Sequence, residues 1–182
     1  GGQLVSLNIV IDCDPGHDDA VAILLANKLA NLKSITTVAG NTDLANTTKN
    51  ALALVEFLGG DIPVHSGADQ ALAGAVRNAR HVHGKTGFGG TNLPAPKRPV
   101  ASEDAVNHII EQVKAIDDLW LVAVGPLTNI ALAIEAYPEM ANRLAGLSIM
   151  GGSTGPGNAT PAAEFNIWAD PEAARAVLTS GL

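Results

Sequence analysis

The chain has one cysteine in 182 residues, Cys13, so no intrachain disulfide can form. That suits a reducing compartment, and a cytoplasmic location is the expectation. Basic charge is scarce as well: eleven Lys and Arg against eighteen Asp and Glu leave a net charge of −7, with the cations scattered rather than drawn into a stripe. This excludes the electrostatic footprint of a polynucleotide binder. No uninterrupted apolar run approaches the ~20 residues of a membrane helix, and the opening Gly1-Gly2-Gln3 lacks the basic and apolar regions of a secretory signal. Internal repeats and low-complexity tracts are missing too. With 47% hydrophobic and 16% charged residues, the composition is that of one globular domain with a substantial core.

Against this background the acidity is concentrated. Residues 12–19 read Asp12-Cys13-Asp14-Pro15-Gly16-His17-Asp18-Asp19, four of the eighteen acids within eight positions, directly after the apolar run Ile9-Val10-Ile11. Carboxylates so crowded repel one another unless a cation or shared protons intervene. Oxygen donors with no Cys or His framework favour a hard cation, calcium or magnesium, over zinc. The Pro15-Gly16 turn lets Asp14 and Asp19 face one ion. The same pattern also fits an Asp18 that caps a helix, a structural Asp12 and otherwise solvated acids.

Short apolar runs alternate with helical spacing along the chain. Residues 8–11, 34–39, 62–65, 119–124 and 147–150 read as strands. Leu44, Thr47, Ala51, Leu54 and Leu58 form one helix face ending at Gly59-Gly60, and Ala105, Ile109, Val113 and Ile116 form another behind the candidate N-cap Ser102. Pro126 opens a helix over 127–136, and Asp170-Pro171-Glu172 places a capping acid before a first-turn proline. The alternation predicts an α/β fold, an open and mostly parallel sheet flanked by helices. In such sheets the site lies at the carboxyl ends of the strands. The acid cluster, Asn41, Gly125-Pro126 and the glycine-rich loop after Met150 all fall there. Asn41 by itself reads first as a turn residue. Two segments stay irregular, 67–101 and 151–166, as binding loops or lids often do.

The residues also carry a resemblance. Asp12-Cys13-Asp14-Pro15-Gly16-His17-Asp18-Asp19-Ala20 is similar to the N-terminal signature of the inosine-uridine type nucleoside hydrolases. Five further blocks resemble that family in the same order: Val38-Ala39-Gly40-Asn41, His83-Gly84-Lys85-Thr86-Gly87, Val124-Gly125-Pro126-Leu127-Thr128-Asn129-Ile130-Ala131, Met150-Gly151-Gly152, and the run from Ala163 to Ala174 containing Glu164-Phe165-Asn166-Ile167-Trp168-Ala169-Asp170. Together they cover nearly the whole chain.

The resemblance implies a Rossmann-like nucleoside hydrolase fold and hydrolysis of the N-glycosidic bond of ribonucleosides to free base and ribose. It implies calcium held by Asp14, Asp19 and the backbone carbonyl of Val124, with Asp14 as general base toward an attacking water. Asp18, Asn41, Asn158, Glu164 and Asn166 match its ribose-binding positions, and Met150 a pocket-lining one. His83 matches a position near the leaving base; His81 and His17 are weaker cases. Family members form homodimers and homotetramers, so a homo-oligomer is expected. They are also longer, with a C-terminal His-Asp pair that has no counterpart here, so residues 1–182 are expected to be one nucleoside hydrolase-like domain, C-terminally incomplete. A non-catalytic nucleoside or ribose binder is the alternative. A magnesium-dependent phosphotransferase fits the first motif and leaves the other blocks unexplained.

Overall fold

The structure is a computed structural model that describes residues 7–74, 87–88 and 93–182. His81 and His83 lie outside the described residues. Five strands form one parallel sheet: β1 (Asn8–Cys13), β2 (Asn31–Thr37), β3 (Val64–Ser66), β4 (Leu119–Ala123) and β5 (Gly146–Ile149), in the spatial order β3-β2-β1-β4-β5. Numbered in chain order among the described residues, the helices are α1 (His17–Leu29), α2 (Leu44–Phe57), α3 (Ala105–Ala115), α4 (Thr128–Ala136), α5 (Met140–Arg143), α6 (Phe165–Ala169) and α7 (Pro171–Leu178). This is the expected α/β architecture. Each expected strand is present to within a few residues.

Strand alternation sorts the core into two layers. Ile9, Ile11 and Cys13 face α1 and α2, where they pack with Ile23, Ile35, Ala51, Leu54 and Val64. Val10, Leu119, Leu121 and Ala123 face α3, α4 and α7, among Ile109, Val113, Ile130 and Val177. Helices on both faces shield the sheet, which explains why its strands read as continuous apolar runs. The strand order reverses direction between β1 and β4, so the loops after these two strands diverge and leave a crevice at their carboxyl ends.

Capping acids set the helix starts. Asp43 Oδ1 accepts from the Asn46 amide at 2.9 Å to open α2, and Asp170 Oδ1 accepts from Ala173 at 3.0 Å to open α7 as expected. For α3 the expected cap is corrected. Asp104 holds that position, accepting from the Asn107 amide at 3.0 Å. Ser102 instead pairs its hydroxyl with His65 Nδ1 at 2.7 Å. The short helices α5 and α6 carry too few turns to produce a periodic apolar pattern, and sequence spacing had not indicated them.

The rings of His65 on β3 and His108 on α3 stack, with centroids 3.5 Å apart, and His108 Nε2 pairs with Ser34 Oγ at 2.8 Å. Desolvation lowers both imidazoles from 6.5, and the neighbouring His65 helps push His108 to about 4. Below pH 6.5 the unfolded chain binds protons that the native pair resists, His108 down to about 4, so the contribution of this pair to stability declines as pH falls. His108→Gln keeps a partner for Ser34 and removes the titration. It should flatten the urea midpoint against pH between 6.5 and 4.5, whereas an unchanged slope would contradict the assignment.

Candidate active site

The acid cluster sits at the crevice. Asp12 is the next-to-last residue of β1, Asp14 lies just past the strand, and Asp19 is in the first turn of α1; all three side chains are buried. The turn between them is held by Asp19 itself, whose Oδ2 accepts from the Gly16 amide at 3.0 Å, and by Asn50 of α2, whose Nδ2 donates to the Pro15 carbonyl at 3.0 Å. Gly87, which closes the block beginning at His83, lies against that same carbonyl with φ of +88°, and Phe88 sets its edge against the His17 ring.

Asp14 occupies a slot lined by backbone. A Cβ at Gly40 would collide with Asp14 Oδ2, and one at Gly125 would press on Oδ1. These two glycines follow β2 and β4, so the carboxylate fits between the strand ends only where side chains are absent. Asn41 completes the slot. Its main-chain amide donates to Asp14 Oδ2 at 2.6 Å, while its Nδ2 donates to the Asp14 carbonyl at 3.0 Å and reaches Asp19 Oδ2 at 3.5 Å. No non-glycine residue among those described has a positive φ, so Asn41 is selected for its hydrogen bonds and not for a left-handed turn.

A second group forms the opposite wall. Glu164 caps α6, accepting from Asn166 at 2.9 Å and Ile167 at 3.3 Å, and also takes the Gly152 amide at 3.0 Å, which pins the glycine-rich loop. Asn158, an exposed residue, accepts from the Phe165 amide at 2.7 Å. The buried Asn166 donates through Nδ2 to the carbonyls of Val124 at 2.9 Å and Met150 at 2.8 Å. Val124 adjoins Gly125, so Asn166 ties this wall to the Asp14 slot. Asp18 is exposed at the start of α1, and Met150 is 38% exposed at the end of β5.

Electrostatics single out this corner. Burial, and then the charge of Asp19, push Asp14 well above the usual carboxylate range. Burial likewise raises Asp19 to about 7 and Asp12 to about 6. Asp19 Oδ1 is buried with no hydrogen-bond partner, an orphan oxygen in a cluster of acids. The orphan oxygen and the oxygen-only donors of Asp14 and Asp19 are of the kind a hard cation takes. Among the described residues no three His, Cys, Asp or Glu side chains converge as a cage. Water or further oxygens must complete any shell.

Sequence reasoning gave no role to Asn129. This fully buried residue of α4 donates to Asp12 Oδ1 at 2.8 Å and to the Thr37 carbonyl at 3.0 Å, and accepts from the Ala68 amide at 2.9 Å. The signal was an amide directly before the apolar run Ile130-Ala131-Leu132-Ala133-Ile134. Asp12 is thereby a structural residue of the site, bonded also to Thr36 Oγ1 at 2.6 Å.

Raised carboxyl pKa values carry a sign. The stability these acids contribute is whole below their unfolded value near 4 and is lost as pH rises through the folded values of about 6 and 7. A bound cation reverses that loss. The gain in melting temperature on adding calcium should therefore be larger at pH 8 than at pH 5, and Asp19→Asn should remove most of it. An equal gain at both pH values would contradict a site built on these carboxylates.

A family model described as inosine-uridine preferring nucleoside hydrolase matches residues 9–182. The pyrimidine-specific ribonucleoside hydrolase RihB of Escherichia coli K12 is 45% identical over 177 residues, covering 96% of this chain and 56% of that protein. Among solved structures, the plant nucleoside hydrolase PpNRh1 aligns with a TM-score of 0.92 and 40% identity, over 96% of this chain and 57% of that one. A purine-preferring ribonucleoside hydrolase from Gardnerella vaginalis aligns with a TM-score of 0.89 and 33% identity, over 96% and 58%. The chain thus spans a little over half the length of these relatives. A buried aspartate slot at the switch crevice, six ordered sequence blocks and these matches lead to one conclusion: the chain belongs to the inosine-uridine preferring nucleoside hydrolase family.

Proposed function

We propose that the full-length protein hydrolyses the N-glycosidic bond of ribonucleosides, releasing base and ribose, with calcium held by Asp14, Asp19 and the Val124 carbonyl. The observation that carries this reading is the Asp14 carboxylate, buried between Gly40 and Gly125 beside the orphan oxygen of Asp19. When bound, calcium acidifies the attacking water and orients it. Asp14, a carboxylate beside the attacking water, takes the proton. The Asn41 amide keeps that carboxylate from rotating away.

Glycosidic cleavage develops positive charge on the ribose ring, which buried acids nearby stabilise without rearranging. Asp18, Asn41, Asn158, Glu164 and Asn166 are the proposed contacts to the sugar hydroxyls, with Met150 lining the pocket. Glu164 and Asn166 each serve the scaffold already, so they are held in place before a sugar arrives. The proposed proton donor to the leaving base is His83. A cytoplasmic location fits the single buried thiol at Cys13.

The substrate panel follows from the relatives: uridine and cytidine for a pyrimidine enzyme, inosine and guanosine for a purine one. Calcium-loaded full-length protein should release reducing sugar from at least one pair, and Asp14→Ala should lower kcat by about 10³-fold or more while the protein stays folded. General base catalysis alone accounts for 10²- to 10⁴-fold. Saturable nucleoside binding without release would select the non-catalytic reading instead.

A homodimer or homotetramer is proposed as well. Val21, Leu24, Leu25 and Leu29 leave α1 with an exposed apolar face of the kind association covers. Sedimentation of the full-length protein as a monomer at micromolar concentration would contradict it.

A further inference from the structure

We propose that Asn129 acts with Asp12 as a positioning unit for Asp14, setting the width of the slot that holds its carboxylate. Asn129 bonds three separate chain segments from one side chain: Asp12 on β1, Thr37 at the end of β2 and Ala68 beyond β3. Each of these lies just before or beside a wall of the slot. Asp14 follows Asp12 by two residues, Gly40 follows Thr37 by three, and the Ala68 carbonyl takes the amide of Ala39, next to Gly40, at 3.0 Å; Asn129 itself follows Gly125 by four. The strand ends are joined by the main chain as well, Val124 donating to the Asp12 carbonyl at 2.9 Å and Val38 to the Cys13 carbonyl at 3.0 Å.

The cross-tie is specific to an amide. Only Asn or Gln offers two N–H donors and a carbonyl acceptor in one plane, and Asn129 spends both donors and its acceptor here. Room for it is made by Gly67, where a Cβ would overlap the Asn129 side chain. Asp12 in turn places one oxygen, Oδ1, on both Asn129 and Thr36, so it is held from β2 and from α4 at once. Neither Asn129 nor Asp12 contacts the sugar in this reading. They act through the Asp14 seat.

The consequence for catalysis rests on Asp14 being the base proposed above, but the seat itself has a readout that needs no turnover. The Asn41 amide donates to Asp14 Oδ2, so its hydrogen exchange reports whether the carboxylate is in place. Asn129→Asp keeps the side-chain shape, loses both donors and faces Asp12 with a second acid. In the folded full-length variant, Asn41 should lose about tenfold or more of its protection while the core amide of Ile109 keeps its own. In the same protein kcat should fall by about 10- to 100-fold, the range typical of residues that orient a ligand shell, with KM changed by less than about threefold. The exchange Asp12→Asn with Asn129→Asp restores an amide-to-carboxylate bond and should recover part of the Asn41 protection.

Should Asn129→Asp fail to fold, Thr36→Val removes the other bond to Asp12 without changing shape, and a threefold loss at Asn41 is expected. Protection at Asn41 that stays within twofold of wild type overturns the proposal, as does a loss shared equally by Ile109. Loss at Asn41 in a protein whose wild type releases no ribose supports the positioning unit and refutes the proposed hydrolase activity.

Discussion

Asp12, Asp14 and Asp19 are withdrawn from water within eight residues of chain, and none has a cationic side chain beside it among the described residues. Desolvating a carboxylate costs several kcal/mol unless hydrogen bonds, a cation or a proton compensate. Much of the surrounding structure is compensation of this kind. Gly16 and Asn41 give their amides, Asn129 and Thr36 hold Asp12, and glycines at 40 and 125 let backbone come close enough to matter. What hydrogen bonds leave over appears as raised carboxyl pKa values and as two orphan oxygens, Asp12 Oδ2 and Asp19 Oδ1.

The fold determines where this can happen. Parallel strands deliver their carboxyl ends to one edge, and the reversal between β1 and β4 opens that edge. Two walls then meet at Val124, one built from the first acid turn and Asn41, the other from Glu164, Asn158 and Asn166. Asn166 is the hinge between them in a chemical sense, since its amide bonds the carbonyls after both β4 and β5.

The strands were legible because burial on both faces makes them short apolar runs, and Asp170-Pro171 and the acid-rich turn were legible because capping and charge crowding are local. Tertiary hydrogen bonds were not. Asn129 makes contacts 61 to 117 residues away, which no window of sequence contains. Asn41 looked like a turn residue because Asn commonly is one; its backbone is ordinary and its side chain is committed to the acids. Ser102 resembled a cap, yet Asp104 stood two residues closer to the apolar periodicity, and the serine had a buried histidine to satisfy. For the site, the acids and the walls were named from resemblance, while the tie that joins the strands behind them emerged only from the fold.

In the proposed calcium site, the buried carboxylates hold protons when no cation is bound. Calorimetric titration of calcium into the protein at pH 6.5, repeated in buffers of different ionisation enthalpy, counts the protons released on binding. Net release of about one to two protons per ion is expected, since Asp14, held well above the usual carboxylate range, and Asp19, with a pKa of about 7, must both ionise to bind it. Binding with no proton release, or no binding at all, would contradict it.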